Sequence, residues 1–251
     1  MQQPHTIEIC IDSPEAAFLA SQHGAHRLEV CSALAEGGLT PSYGFLHHLK
    51  EQLTAELAVL IRPRSGDFLY NRHEYEVMKK DIRFCKSIGV HAVVFGILKQ
   101  DGTVDLERNN ELVELAKPID AVFHRAFDVA RDPFEALNSC IKAGFSRILT
   151  SGQHNKAFDG ITLIEQLIQQ AEDRISIMPG SGISPSNIQR FIDIGAGEFH
   201  MSLKTTRESN MEYRKSGVSM GASSPDQEYQ LNSVDLKKLE QIISIVDKNK
   251  T

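Results

Sequence analysis

The sequence predicts a single (β/α)8 barrel spanning residues 1–251, and three observations carry that expectation. Short apolar runs of strand character alternate with amphipathic helical stretches, eight such units can be counted, and the boundaries carry Gly just after helices and Ser, Asp or Pro just before them. Strict alternation forces parallel pairing through right-handed crossovers, and eight units in a chain of 251 residues match a closed barrel better than an open doubly wound sheet. An open sheet would more often place a glycine-rich dinucleotide turn after its first strand, where this chain reads Ile11-Asp12-Ser13-Pro14.

The units follow in order. A strand from Ile7 to Ile11 precedes a helix opened by Ser13-Pro14-Glu15, where Ser caps and Pro takes the first turn, and closed at Gly24. A strand from Arg27 to Cys31 leads to a helix near Ser42 to Leu53, and Leu57 to Ile61 leads to Tyr75 to Ser87, with Gly89 beyond its end. Ala92 to Phe95 pairs with the helix Leu106 to Ala116, and Ala121 to His124 with Pro133 to Ala143, stopped by Gly144. Arg147 to Leu149 precedes Ile161 to Ala171, Ile175 to Met178 precedes Asn187 to Ile194, and Glu198 to His200 precedes Asp235 to Asp247. The stretch from Met201 to Val234 is Ser- and Gly-rich without a clear period, and reads as a lid or a long loop after strand eight.

Composition narrows the function. A net charge of −6 supplies no overall basic surface, which argues against nucleic-acid and anionic-membrane partners. Met1 to Thr6 lacks a basic start and an apolar run, and no stretch reaches the roughly 18 apolar residues of a membrane helix, so a cytoplasmic protein is expected. Four cysteines in a chain of this length are too sparse for a disulfide scaffold. Cys85 and Cys140 fall on apolar helix faces, where a thiol acts as a small hydrophobe.

The other two cysteines belong to a recurring tripeptide, Glu8-Ile9-Cys10 and Glu29-Val30-Cys31. If the first two strands are parallel neighbours, period-2 alternation turns Glu8, Cys10, Glu29 and Cys31 to one face, and Ile7, Ile9, Ile11, Leu28 and Val30 to the other. Neighbouring strands run about 4.8 Å apart, so two thiols in register can share one soft ion, and among biological metals a thiolate pair favours Cu(I), whereas zinc wants four ligands. His200, Met201, Met211 and Met220 would add soft donors if the last loop folded over the mouth; packing is the simpler role for loop methionines.

The working face of such a barrel is built at the C-terminal strand ends. Arg62-Pro63-Arg64-Ser65-Gly66-Asp67 sets two guanidinium groups and a carboxylate beside a flexible turn, an arrangement for a carboxylate or phosphate; the plainer role is pairing with Glu8 or Glu29 across the barrel. His124-Arg125-Ala126-Phe127-Asp128 brings an imidazole near a carboxylate, as acid–base chemistry requires, or as a satisfied core histidine does. Thr150-Ser151-Gly152 and Pro179-Gly180-Ser181-Gly182 are short small-residue loops able to cradle a phosphate, or simple turns. Gly37-Gly38 after strand two can bring backbone close to a ligand or merely turn the chain.

Taken together, Glu29-Val30-Cys31-Ser32, Gly37-Gly38-Leu39-Thr40-Pro41-Ser42, Ile61-Arg62-Pro63-Arg64, Gly66-Asp67-Phe68, Phe123-His124-Arg125-Ala126-Phe127-Asp128, Ile148-Leu149-Thr150-Ser151-Gly152 and Met178-Pro179-Gly180 resemble the CutC family, known as copper homeostasis proteins. The resemblance runs from Glu8 to about Tyr213. It implies a cytoplasmic, homo-oligomeric TIM-type barrel associated with copper tolerance, with Cu(I) held by Cys10 and Cys31. Ser65 and Ser181 stand where the family's loops usually carry Gly.

Three readings compete. In the first, Cys10 and Cys31 bind Cu(I) and the other polar groups shape the mouth. In the second, the chain is an enzyme on a small anionic, phosphorylated or unphosphorylated, metabolite: Glu8, Glu29, His124 and Asp128 are the catalytic candidates, and Arg62, Arg64, Asp67, Arg125, Ser151, Gly152, Gly180, Gly182 and His200 bind the ligand. In the third, the mouth is a scaffold surface and its charges form a structural ion network.

Overall fold

Eight parallel strands do form one barrel. In the computed structural model, which describes residues 5–218, 220 and 225–249, β1 (Thr6–Ile11), β2 (Arg27–Val30), β3 (Glu56–Leu60), β4 (Ala92–Phe95), β5 (Asp120–Phe123), β6 (Arg147–Thr150), β7 (Ser176–Pro179) and β8 (Glu198–Met201) pair in the order β7-β6-β5-β4-β3-β2-β1-β8. A parallel bridge between Gly180 and His200 joins β7 to β8 and closes the ring. The intervening helices are α1 (Pro14–Gln22), α2 (Tyr43–Gln52), α3 (Arg72–Ser87), α4 (Leu106–Ala116), α5 (Pro133–Ala143), α6 (Ile161–Ala171), α7 (Ile188–Asp193) and α8 (Leu236–Lys248).

Local chemistry sets these ends. Ser13 caps α1 by accepting from the Ala16 N–H, with Pro14 in the first turn, and Ser42 caps α2 through the Phe45 N–H. Helix α3 begins before the expected Tyr75 because Asn71 and Glu74 form a reciprocal capping box, a signal the apolar period does not contain.

Period-2 alternation splits the strands into two shells. Outward positions such as Ile7, Ile9, Leu28, Val30, Leu57 and Val59 lie in the layer under the helices, each 0% exposed. Inward positions Cys10, Cys31, Ala58, Leu60, Val94, Val122, Leu149 and Met178 form a smaller cluster inside the barrel. Each fully buried aliphatic side chain contributes roughly 1.5–3 kcal/mol, so the outer shell dominates stability and leaves the inner one free for polar chemistry.

The segment expected as a lid or loop contains regular structure. β9 (Lys204–Glu208) pairs antiparallel with β10 (Gln230–Val234), preceded by a 3₁₀ turn over Pro225–Tyr229. Its polar strands show no clean alternation and twenty-odd residues separate them, so periodicity could not find the pair. The hairpin is tied to the side of the barrel, with Asn232 donating to Asp12 (2.9 Å) and Arg207 paired with Glu15. Met211 and Met220 are 56% and 86% exposed, which removes them as donors to the mouth. Among the described residues no helix is long and apolar enough to cross a membrane.

Candidate functional site

The floor of the mouth is a buried ion network. Arg27, the first residue of β2, pairs with both Glu8 and Glu198, and Arg147 ties Glu198 (3.0 Å) to Asp120 (2.8 Å). One layer up, Nδ1 of His200 donates to Oε1 of Glu8 (2.7 Å), while its Nε2 stands 3.8 Å from Glu29. Burial alone would raise the Glu8 carboxyl, but the His200 hydrogen bond and the Arg27 and His200 charges hold it down at about 2. At His200 burial alone would lower the pKa, but the charges of Glu29 and Glu8 and the Glu8 hydrogen bond outweigh it and push the pKa up. Glu29 moves the other way: burial dominates and raises its pKa. Glu8 is therefore an anchor that orients His200 rather than a group that exchanges protons.

The thiols meet as the alternation requires. Register places Cys10 opposite Glu29, and Cys31 continues the inward face of β2, leaving the two sulfurs 3.7 Å apart. Cys10 is 6% exposed and faces the cavity, whereas Cys31 is 0% exposed and donates to the Ile11 carbonyl (3.5 Å). Donor atoms of Cys10, Glu29 and His200 all lie within 4.8 Å of one another. The hydrogen bond with Cys31, burial and the Glu29 charge push the Cys10 thiol well up. Gly38, at φ 87°, covers Cys31 closely: a Cβ there would sit 2.7 Å from Leu60 and 3.6 Å from the Cys31 sulfur.

A cavity of about 740 Å³ opens above, and its lining includes Cys10, Glu29 and His200 together with Arg62, Phe68 and His124. Arg62 is 6% exposed, and the pairing with Glu8 or Glu29 that its sequence allowed does not occur: it donates to the carbonyls of Glu36 (3.0 Å), Gly38 (2.9 Å) and Gly66 (2.9 Å) and faces the Tyr70 phenol. His124 accepts from the Ala126 N–H at Nδ1 (3.3 Å), and burial with the Arg62 charge drops its pKa to about 3, leaving a neutral ring with the proton on Nε2.

Other candidates are displaced from the mouth or consumed by structure. Arg64 and Asp67 pair with each other (2.8 Å) on an outer loop, where Arg64 also binds Glu74, and neither lines the cavity. Asp128 does not reach His124; it accepts from Arg125 (2.7 Å), Thr150, Ser151 (2.9 Å from Oγ) and Gln153 (3.2 Å), knitting the loops after β5 and β6 together. Arg125 and Asp128 nonetheless form part of the wall. Gly152 is no phosphate cradle, because a Cβ there would lie 2.4 Å from the Gly160 carbonyl oxygen; it packs backbone on backbone. Gly180 packs on Leu149 and His200, while Gly182 lines the cavity. Ser181 adopts φ 78° where glycine would be easier, held by its hydroxyl to the Asn155 carbonyl (2.7 Å). Sequence reasoning missed Arg27, Arg147 and Glu198, although the alternation that aligned Glu29 with Cys31 equally puts Arg27 on that face.

These features define a TIM-type barrel whose C-terminal mouth gathers thiols, carboxylates and imidazoles around a small-molecule-sized cavity. The chain belongs to the CutC family, whose model matches residues 5–205. It is 47% identical over 240 residues to the mouse copper homeostasis protein cutC homolog, covering 95% of this chain and 88% of that one, and 46% identical to the human homolog with the same coverage. A crystal structure of a copper homeostasis protein CutC from Streptococcus agalactiae superposes with a TM-score of 0.75 at 32% identity, over 79% of this chain and 98% of that one. Phosphoribosylanthranilate isomerase from Thermotoga maritima, at 14% identity and a TM-score of 0.58, covers 97% of this chain and 99% of its own and shares the fold alone.

Proposed function

We propose that this chain is a copper homeostasis protein that holds Cu(I) through Cys10 and Cys31 at the barrel mouth. The observation that carries the reading is the pair of buried sulfurs 3.7 Å apart on neighbouring strands, with Glu29 and His200 beside the more accessible one. Soft thiolates select Cu(I) over hard cations, and His200 beside them would add a nitrogen donor once its Nε2 proton is released. The bound ion would supply the positive charge that two buried thiolates lack. Its entry is from the Cys10 side, since Cys10 lines the cavity and Cys31 is fully buried beneath Gly38. A reducing, cytoplasmic setting would keep both groups as thiols. Competition titration of Cu(I) against a chelator tests this: wild-type protein binds one ion, and Cys10→Ser/Cys31→Ser loses it. Equal affinity in the double variant would remove the proposal.

A second reading is favoured by one observation. A carboxylate and an imidazole whose pKa values are both raised, Glu29 and His200, share a 740 Å³ cavity with the Arg62 cation, which a simple ion carrier does not require. In that reading the chain is an enzyme on a small anionic metabolite, with Glu29 and His200 moving protons. A ligand panel scored by thermal stabilisation tests it, because any true ligand raises the unfolding temperature.

A further inference from the structure

Two groups on the cavity wall are left incompletely used by the fold. Among the described residues Nε2 of His124 has no hydrogen-bond partner although the residue is only 5% exposed, and a buried orphan donor costs free energy that a ligand acceptor would recover. Arg62 is buried with its charge spread over backbone carbonyls, and among the described residues no carboxylate pairs with it. Both side chains border the cavity and share one neighbour: the Phe68 ring lies 5.3 Å from the Arg62 guanidinium and 4.7 Å from the His124 ring.

We propose that Arg62 and His124 form an anion pole that takes a small monocarboxylate with an apolar body, the carboxylate accepting from His124 Nε2–H and lying in the field of the Arg62 cation. This names the ligand of the second reading above and rests on it; it requires no copper. One buried cation suits a singly charged ligand: among the described residues no carboxylate pairs with Arg62, whereas Arg125 is neutralised by Asp128, Lys238 by Asp235 (2.8 Å), and Lys204, also on the wall, is exposed to solvent. Of the small-residue loops, Gly152 is closed against Gly160 and Gly180 against Leu149, while Ser181 and Gly182 border the cavity. Leu34, Leu60, Val129, Leu149 and Ile183 supply apolar surface for the remainder of the ligand. Phe68 sits over both polar groups, so it must turn aside as the carboxylate enters.

Protein carrying ¹⁵N-labelled histidine, free of metal, is titrated with isobutyrate, acetate and inorganic phosphate while the His124 ring nitrogens are followed by NMR and heats by calorimetry. Isobutyrate should saturate, shift the His124 Nε2 resonance, and bind more tightly than acetate or phosphate. His124→Phe keeps the ring and removes the donor, and should weaken isobutyrate by roughly tenfold or more, as loss of a hydrogen bond to a charged group does. Phosphate preferred over isobutyrate, or isobutyrate bound without movement of the His124 signal, overturns the proposal while leaving the cavity a ligand site. No binding by any of the three overturns the proposal, and the broad thermal panel then decides the enzyme reading separately. The wild-type resonance is decisive even where His124→Phe does not fold.

Discussion

Nδ1 of His200 lies 2.7 Å from Oε1 of Glu8, although 192 residues separate the two in the chain. Barrel closure makes the contact: β8 pairs with β1 in a register that sets Glu8 directly beside His200. Arg27 completes the arrangement from β2, so three strands supply one buried network beneath the thiols. Its cost in desolvation is offset only while every member is present.

Glu8→Gln should therefore destabilise the fold by roughly 3–5 kcal/mol, the usual range for breaking a buried ion pair. Urea denaturation measures the loss, and NMR titration should show the His200 pKa falling toward its ordinary value. A change under about 1 kcal/mol would mean the network does not act as a unit.

Stability should also follow pH with two opposed signs. Glu8 titrates at about 2 in the fold against an ordinary 4.5, so its contribution is present above 4.5 and is lost as pH falls toward 2. His200 and Glu29 have raised folded pKa values, so their contributions are complete at low pH, below their ordinary values, and are lost as pH rises through the raised ones. Denaturation midpoints measured across acid and neutral pH should rise from the acid side and then slope downward. A flat profile would contradict both assignments.

Copper affinity should increase with pH. The Cys10 thiol is pushed up by its bond with Cys31, by burial and by the Glu29 charge, so binding Cu(I) must expel a proton. Each proton released adds roughly tenfold in affinity per pH unit. Chelator competition at about pH 6 and about pH 8 reads this directly, and pH-independent binding would rule out thiolate ligation.

Gly152→Ala should cost roughly 3 kcal/mol or more, because its Cβ would meet the Gly160 backbone at 2.4 Å and its φ of 67° disfavours a side chain. Chemical denaturation checks it. A loss well under 1 kcal/mol would reopen this turn as a ligand cradle.

Cys85→Ala and Cys140→Ala should leave copper stoichiometry untouched while lowering stability by roughly 1–2 kcal/mol each, since both thiols are 0% exposed hydrophobes on α3 and α5. Metal analysis of the two variants settles the point. Loss of bound copper in either would move the site away from the barrel mouth.

What the sequence determined by itself is whatever depends on spacing along one strand or one helix. Period-2 alternation was enough to count eight strands and to turn Glu8, Cys10, Glu29 and Cys31 inward, because side-chain direction in a strand is set by the backbone alone. Helix caps at Ser13 and Ser42 were equally legible, being contacts within a few residues. The tertiary structure decided everything that depends on which atoms end up across the barrel from one another. It bound Arg62 to loop carbonyls instead of carboxylates, directed Asp128 to the β6 loop instead of His124, and turned Arg64 and Asp67 outward. It also folded the unpatterned stretch after β8 into a hairpin beside α1. A polar side chain settles wherever partners satisfy it, and those partners are chosen by barrel closure and loop geometry, which no local period encodes.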